Sequence, residues 1–129
     1  MKLAPEIKKP TGTILIVDDE EPLRLMAKAL VENMGYKVLM ASDGEEAVSI
    51  YRLRSSPISA VLLDMTMPKM KGRQVLSAIL EIDPKAAVIL VSGYTAEGTS
   101  EELIQAGAKD FINKPYSFDT LSTALQKVL

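Results

Sequence analysis

Five short apolar runs, rich in β-branched side chains, divide this chain at nearly regular intervals. They cover residues 14–17, 36–41, 59–63, 86–91 and 110–112. Apolar runs such as residues 14–17 and 86–91 are typical of strands that are buried on both faces of a parallel sheet. Right-handed crossovers between parallel strands leave few other arrangements. We therefore predict an α/β fold, a single doubly wound domain with a five-stranded parallel sheet flanked by five helices.

Helical periodicity and turn residues predict the five helices. The first is expected to be capped by Asp19 or Glu20 and to stop at Gly35. Ser42 and Glu45 have the spacing of a capping box at the start of the second helix. The second to fifth predicted helices cover residues 46–53, 73–82, 99–107 and 118–128.

Length and terminal composition predict the domain organisation. The 129 residues suffice for one domain with a sizeable core. Residues 1–12 contain Pro5, Pro10 and three lysines, and we predict a tail or linker there. Residues 13–129 are predicted to form the domain itself.

Composition excludes several classes of function. The chain has no Cys and no His, which excludes disulfides, thiolate metal sites and imidazole general bases. The 15 basic and 17 acidic residues nearly balance, and the resulting net charge of -2 argues against direct nucleic-acid binding. No apolar run approaches the roughly 20 residues of a membrane span, and residues 1–11 lack a secretory h-region. We expect a soluble cytoplasmic protein without membrane insertion.

Polar residues follow four of the predicted strands. Asp18 and Asp19 follow the first, Asp64 the third, Ser92 the fourth and Lys114 the fifth. The carboxyl ends of parallel strands lie at one edge of a sheet and form its ligand crevice. We therefore expect these side chains to converge on one site.

The converging groups suit phosphoryl chemistry. Three carboxylates repel one another, so a cation should accompany them. Oxygen ligands favour Mg²⁺, with Mn²⁺ as the alternative. A metal, the Lys114 ammonium, the Ser92 hydroxyl and backbone N–H groups would together hold a phosphoryl group. Asp64 is then the expected nucleophile, which would form an aspartyl phosphate.

Four motifs resemble the response-regulator receiver family of two-component signalling, whose chemotaxis members are the CheY-like proteins. They are Ile-Val-Asp18-Asp19-Glu, Asp64-Met-Thr-Met-Pro68 followed by Gly72, Val-Ser92-Gly93, and Phe-Ile-Asn-Lys114-Pro115. The resemblance covers residues 13–129. It implies a flavodoxin-like sheet with strand order 2-1-3-4-5, which the residues alone do not determine.

The resemblance implies how the metal would be bound. Asp64 would be phosphorylated and would bind Mg²⁺ together with Asp19. Asp18 would act mostly through water, and the Thr66 carbonyl would complete the protein ligands.

The resemblance also implies how the phosphoryl group would be held. Lys114 would contact it, Ser92 would swing to donate a hydrogen bond, and the N–H groups of Met65 and Gly93 would support its oxygens. Family members often have a cis peptide at the position of Lys114 and Pro115.

Two departures from the family pattern bear on the switch. The switch residues would be Ser92 and an aromatic residue that is often Tyr in this family and is Phe111 here. Because Phe111 has no hydroxyl, its inward position would be sensed by side-chain packing and not by a hydrogen bond. Thr66 and Tyr94 stand where other members carry Asn and Glu that assist the hydrolytic water. We hypothesise that this pair gives a slowly hydrolysing phosphoform.

The resemblance implies protein partners. A histidine kinase or a histidine phosphotransfer domain would donate the phosphoryl group, docking on an exposed patch of Leu23, Met26, Pro115 and Tyr116. A downstream protein, or self-association, would use the face formed by the fourth predicted helix, the fifth strand and the last helix. Both a stand-alone regulator and the receiver part of a hybrid sensor kinase stay open.

Three other functions are weaker interpretations. A phosphohydrolase with an aspartyl phosphate would carry Asp-x-Asp on its first strand, where this chain has Asp18-Asp19. A receiver-like module without phosphorylation would not need the intact acid, hydroxyl and lysine set. A flavodoxin-type cofactor would bring an anionic phosphate against three carboxylates. We expect a signalling switch and not an enzyme that turns over a separate substrate.

Overall fold

The computed structural model describes residues 12–65, 72–92 and 104–129. Its five strands form one parallel sheet in the order β2-β1-β3-β4-β5, which confirms the predicted topology. The strands are β1 (Thr13–Val17), β2 (Lys37–Ala41), β3 (Ile58–Asp64), β4 (Val88–Ser92) and β5 (Asp110–Asn113). Each lies within two residues of its predicted bounds.

Four helices are complete within the described residues. They are α1 (Glu21–Asn33), α2 (Gly44–Arg54), α3 (Gly72–Ile82) and α4 (Phe118–Val128). The helix predicted over residues 99–107 lies largely outside the described residues. Of that segment, residues 104 and 105 are helical, and Gly107 has φ of 115°, as expected for a helix stop. Within the described residues four of the five predicted helices are therefore complete, and the other is described only at residues 104 and 105.

Two capping predictions were wrong in detail. Glu20 is the N-cap of α1, but its side chain makes no capping hydrogen bond. In α2 the cap is Asp43 and not Ser42, since Asp43 Oδ1 accepts the Glu46 N–H at 2.8 Å. The Glu46 carboxylate in turn accepts the Ser42 N–H at 2.9 Å. The side-chain cap therefore stands one residue later than the sequence predicted, because the chain is still extended at Asp43.

Alternate residues of the central strands face two separate apolar cores. Leu15 and Leu63 face the core covered by α2 and α3, whereas Ile14 and Leu62 face the one covered by α1 and α4. These residues are at most 3% exposed, so the sheet is buried on both faces. The central strands, covered on both faces, fix the positions of the polar residues that follow them.

The predicted tail lies almost entirely outside the described residues, which begin at Gly12. Within the described ranges, every helix is too short or too polar to cross a bilayer.

Candidate functional site

The predicted polar residues meet at the carboxyl edge of the sheet. Asp64 and Ser92 are the last residues of β3 and β4, while Asp18 and Lys114 come directly after β1 and β5. Asp18 is 7% exposed, Asp64 2% and Ser92 0%, so these polar groups are nearly excluded from water. Such burial is costly unless each group has polar partners.

Lys114 lies between two of the carboxylates. Its Nζ is 3.2 Å from Asp64 Oδ2 and 3.3 Å from Asp18 Oδ2. Burial lowers the pKa of Lys114, but the two carboxylates outweigh burial and hold the pKa above its ordinary value. The Lys114 N–H donates to the Ser92 carbonyl at 2.7 Å, and the peptide bond from Lys114 to Pro115 is cis. The lysine is therefore a charged, positioned counter-ion for both acids.

Asp18 uses all four of its polar groups. Its N–H donates to the Ala41 carbonyl at 3.2 Å, and its own carbonyl accepts from Arg24 Nη1 at 2.7 Å. Oδ1 accepts the Glu20 N–H at 2.9 Å, and Oδ2 contacts Lys114. Burial raises the pKa of Asp18, and the nearby charge of Asp64 adds to the rise, although the Glu20 N–H and Lys114 oppose it.

Three consecutive acids fit a divalent cation. Carboxylate oxygens of Asp18, Asp19 and Glu20 lie within 4.8 Å of one another, and Asp19 and Glu20 are exposed. An all-oxygen donor set of this size suits Mg²⁺. Glu20 was predicted only as a helix cap, although the run of three acids was visible in the sequence. The predicted Thr66 carbonyl ligand lies outside the described residues.

Met65 follows Asp64 and is closely packed. Its N–H donates to the Val91 carbonyl at 2.8 Å, so the predicted support of a phosphoryl oxygen would require this bond to be shared or broken. A Cβ atom added to Gly72 would lie 2.9 Å from Met65 Cα, and the glycine allows α3 to approach the strand end. Gly93 and Tyr94, also predicted for this site, lie outside the described residues.

The two predicted switch residues lie on neighbouring strands. Ser92 ends β4 and is fully buried. Phe111 pairs with Leu90 in the register between β4 and β5 and is only partly buried, against the core that α2 and α3 cover. An incompletely buried aromatic side chain on an edge strand has room to change rotamer.

The four residues of the predicted docking patch line one groove beside the site. Leu23 and Met26 contribute from α1, and Pro115 and Tyr116 from the segment after β5. The groove has a volume of about 310 Å³, and Met26 is 55% exposed. Its other lining residues are Asp18, Leu30 and Lys114. An exposed apolar groove that opens onto the acid and lysine pair is suited to binding a protein.

The chain is similar to known proteins in both sequence and fold. The family model of the response regulator receiver domain matches residues 14–126. The chemotaxis protein CheY of Thermotoga maritima is 40% identical over 116 residues, which cover 89% of this chain and 95% of that protein.

Solved structures are similar as well. A response regulator receiver domain protein from Clostridium thermocellum has a TM-score of 0.87 at 32% identity, covering 91% of this chain and 93% of that chain. A chain of the CheX-CheY complex with BeF3 and Mg²⁺ from Borrelia burgdorferi has a TM-score of 0.86 at 36% identity, covering 91% and 88%.

Proposed function

This chain belongs to the response regulator receiver domain family of two-component signalling, and from that premise we propose that it accepts a phosphoryl group on Asp64. The observation that carries the proposal is the position of the Lys114 ammonium, within 3.3 Å of the carboxylates of both Asp64 and Asp18. A buried carboxylate next to a fixed cation can approach an anionic phosphoryl donor with less repulsion than a bare carboxylate.

In the proposed reaction an Asp64 carboxylate oxygen attacks phosphorus while the phosphorus–nitrogen bond of a phosphohistidine breaks. The electron pair stays on the imidazole nitrogen, which can take a proton from water. Lys114 moves its ion pair from the carboxylate to the phosphoryl oxygens, and the Ser92 hydroxyl donates to one of them. The chain supplies mainly position and charge, as is usual in phosphoryl transfer.

Mg²⁺ is the proposed cofactor, and Mn²⁺ is an alternative with similar ligand preferences. Asp18, Asp19 and Asp64, with the Thr66 carbonyl, would hold it, and it would neutralise the charge that develops on the phosphoryl oxygens. The close carboxylates of Asp18 and Asp19 support this assignment.

We propose that the groove of Leu23, Met26, Pro115 and Tyr116 receives a helix of the phosphohistidine-bearing partner. A histidine kinase or a histidine phosphotransfer domain would then be seated next to Asp18 and Lys114, which line the same groove. The proposed protein is a switch and not a turnover enzyme, whether it acts alone or within a hybrid kinase.

The readout is proposed to pass through Ser92 and Phe111 to the face that includes β5 and α4. A phosphoryl group that recruits the Ser92 hydroxyl would favour one rotamer of Phe111 and so change the surface offered to a downstream protein or a second copy. Thr66 and Tyr94 are proposed to slow hydrolysis. A phosphoform whose lifetime is unchanged in both Tyr94→Glu and Thr66→Asn would contradict that part.

Intact-mass analysis after incubation with a small acyl phosphate tests the central proposal. We expect one added phosphoryl group on the wild type with Mg²⁺, and none after chelation or in Asp64→Asn. Asp83→Asn, a carboxylate change in the loop after α3, is the matched control and should be modified like the wild type. Modification of Asp64→Asn at the wild-type level would overturn the assignment.

A further inference from the structure

Arg24 contacts the acidic loop, residues 18–20, and this contact has no part in the chemistry proposed above. Its Nη1 donates to the backbone carbonyl of Asp18 at 2.7 Å, a short, charge-assisted hydrogen bond. The Arg24 main-chain N–H also donates to the Glu20 carbonyl at 2.9 Å, in the first turn of α1. One residue thus fastens the loop to the helix through both its backbone and its side chain.

The carbonyl that Arg24 holds belongs to the peptide unit between Asp18 and Asp19. A peptide unit is planar, so fixing its oxygen also fixes the direction in which the Asp19 backbone leaves it. The Asp18 side chain is already held by the Glu20 N–H and Lys114. The Asp19 carboxylate is exposed, and its position therefore depends on the backbone that carries it.

We propose that Arg24 is a positioning residue of the metal site, which orients the peptide between Asp18 and Asp19 so that the Asp19 carboxylate is preorganised for Mg²⁺. This inference rests on the proposed function. Arg24 does not touch the metal or the phosphoryl group; it acts through Asp18. Outer contacts of this kind often set metal affinity as strongly as the ligands do.

Two effects of the arginine have opposite signs, which makes the proposal testable. A guanidinium near three carboxylates repels a second cation, so charge alone predicts that its removal strengthens Mg²⁺ binding. Orientation predicts that its removal weakens binding. The direction of the change in Mg²⁺ affinity therefore separates positioning from simple repulsion.

The experiment is calorimetric titration of Mg²⁺ into the metal-free full chain at fixed ionic strength. We expect Arg24→Met to weaken binding about tenfold and Arg24→Lys to recover part of the loss. Lys28→Met is the matched control, because it removes the same charge one helical turn further along α1. Its affinity should be unchanged or slightly stronger.

Amide NMR spectra of the metal-free protein give a second readout, in which Arg24→Met should shift the Asp19 resonance more than Lys28→Met does. If Arg24→Met does not fold, Arg24→Gln is judged by the same criteria. Equal or tighter Mg²⁺ binding by the folded neutral variant would overturn the positioning role. A wild type that binds no Mg²⁺ would overturn both the proposed metal site and this inference, whereas bound Mg²⁺ without phosphorylation would overturn only the proposed function.

Discussion

The Lys114 ammonium lies 3.2 Å from Oδ2 of Asp64, so the proposed phosphoryl acceptor is paired with a cation before any donor arrives. The same ammonium contacts Asp18 Oδ2 at 3.3 Å. Without it, the two buried carboxylates would lie near each other without this shared cation.

Removal of the Lys114 ammonium should destabilise the folded protein. We expect Lys114→Met to lower the free energy of unfolding by about 3 kcal/mol without Mg²⁺, since it removes the cation that contacts both buried carboxylates. Urea unfolding with and without Mg²⁺ measures this, and added Mg²⁺ should restore part of the loss. Lys109→Met, at an exposed lysine, should change little. In the Asp64→Asn background the Lys114→Met cost should shrink; an undiminished cost would show that the two residues are not coupled.

The groove on α1 should affect the rate of phosphorylation only when the phosphoryl donor is a protein. We expect Met26→Glu to slow phosphorylation by a phosphorylated histidine phosphotransfer domain at least about tenfold, because a charge enters an apolar contact. The rate with a small acyl phosphate should be unchanged, since that donor does not need the groove. Leu53→Glu is the control, as Leu53 is 85% exposed on α2. Equal slowing with both donors would refute docking at this groove.

The raised pKa of the Tyr51 phenol should make the folded protein less stable at alkaline pH. Burial raises the pKa of its phenol to about 12, helped by the charge of Asp83 and the hydrogen bond from Tyr51 Oη to Asp83 Oδ2. The folded state then keeps a proton that the unfolded state loses near pH 10. The resulting stabilisation is complete below that pH and is lost as the pH rises towards 12.

Urea unfolding between about pH 8 and the raised pKa tests this linkage, which is worth at most about 3 kcal/mol. The free energy of unfolding of Tyr51→Phe should start about 1 kcal/mol lower, through loss of the hydrogen bond, and then fall less steeply with pH. Asp83→Asn, which removes the charge but keeps an acceptor, should be intermediate. Parallel pH profiles for the wild type and Tyr51→Phe would contradict the assignment.

The cap of α2 offers a direct comparison of two neighbouring residues. Asp43→Ala should destabilise the protein by about 1 kcal/mol, because it removes the acceptor for the Glu46 N–H. Ser42→Ala should have little effect, since only the backbone N–H of Ser42 takes part in the box. Chemical denaturation of both variants measures the two losses of unfolding free energy. A larger loss in Ser42→Ala than in Asp43→Ala would support Ser42 as the cap, as the sequence predicted.

The sequence was sufficient for the strands and for the polar residues at their ends, whereas the strand order was implied only by the family resemblance. Apolar runs that stop at Asp18, Asp64, Ser92 and Lys114 identify the strands and, given parallel order, the edge where their side chains meet. The apolar groove on α1 was also recognisable, since Leu23 and Met26 lie among more apolar residues than one buried stripe of the helix requires.

Other features depend on exact geometry and were not predictable. The cap at Asp43 in place of Ser42 depends on where the extended chain ends, which spacing alone leaves uncertain by a residue. The bond from Arg24 to the Asp18 carbonyl joins a side chain to a backbone group six residues earlier, for which sequence has no motif. The bond from Met65 to the Val91 carbonyl depends on strand register.

The contact between Asp18 and Lys114 joins residues 96 positions apart, nearly the whole length of the domain. Lys114 follows β5, the last strand in the sequence and an edge strand of the sheet, so a chain in which β5 is undocked has the acids but not their counter-ion. Under the proposed function, such a partly folded molecule would be a poor phosphoryl acceptor. Phosphorylation of Asp64 would then report that the domain is completely folded.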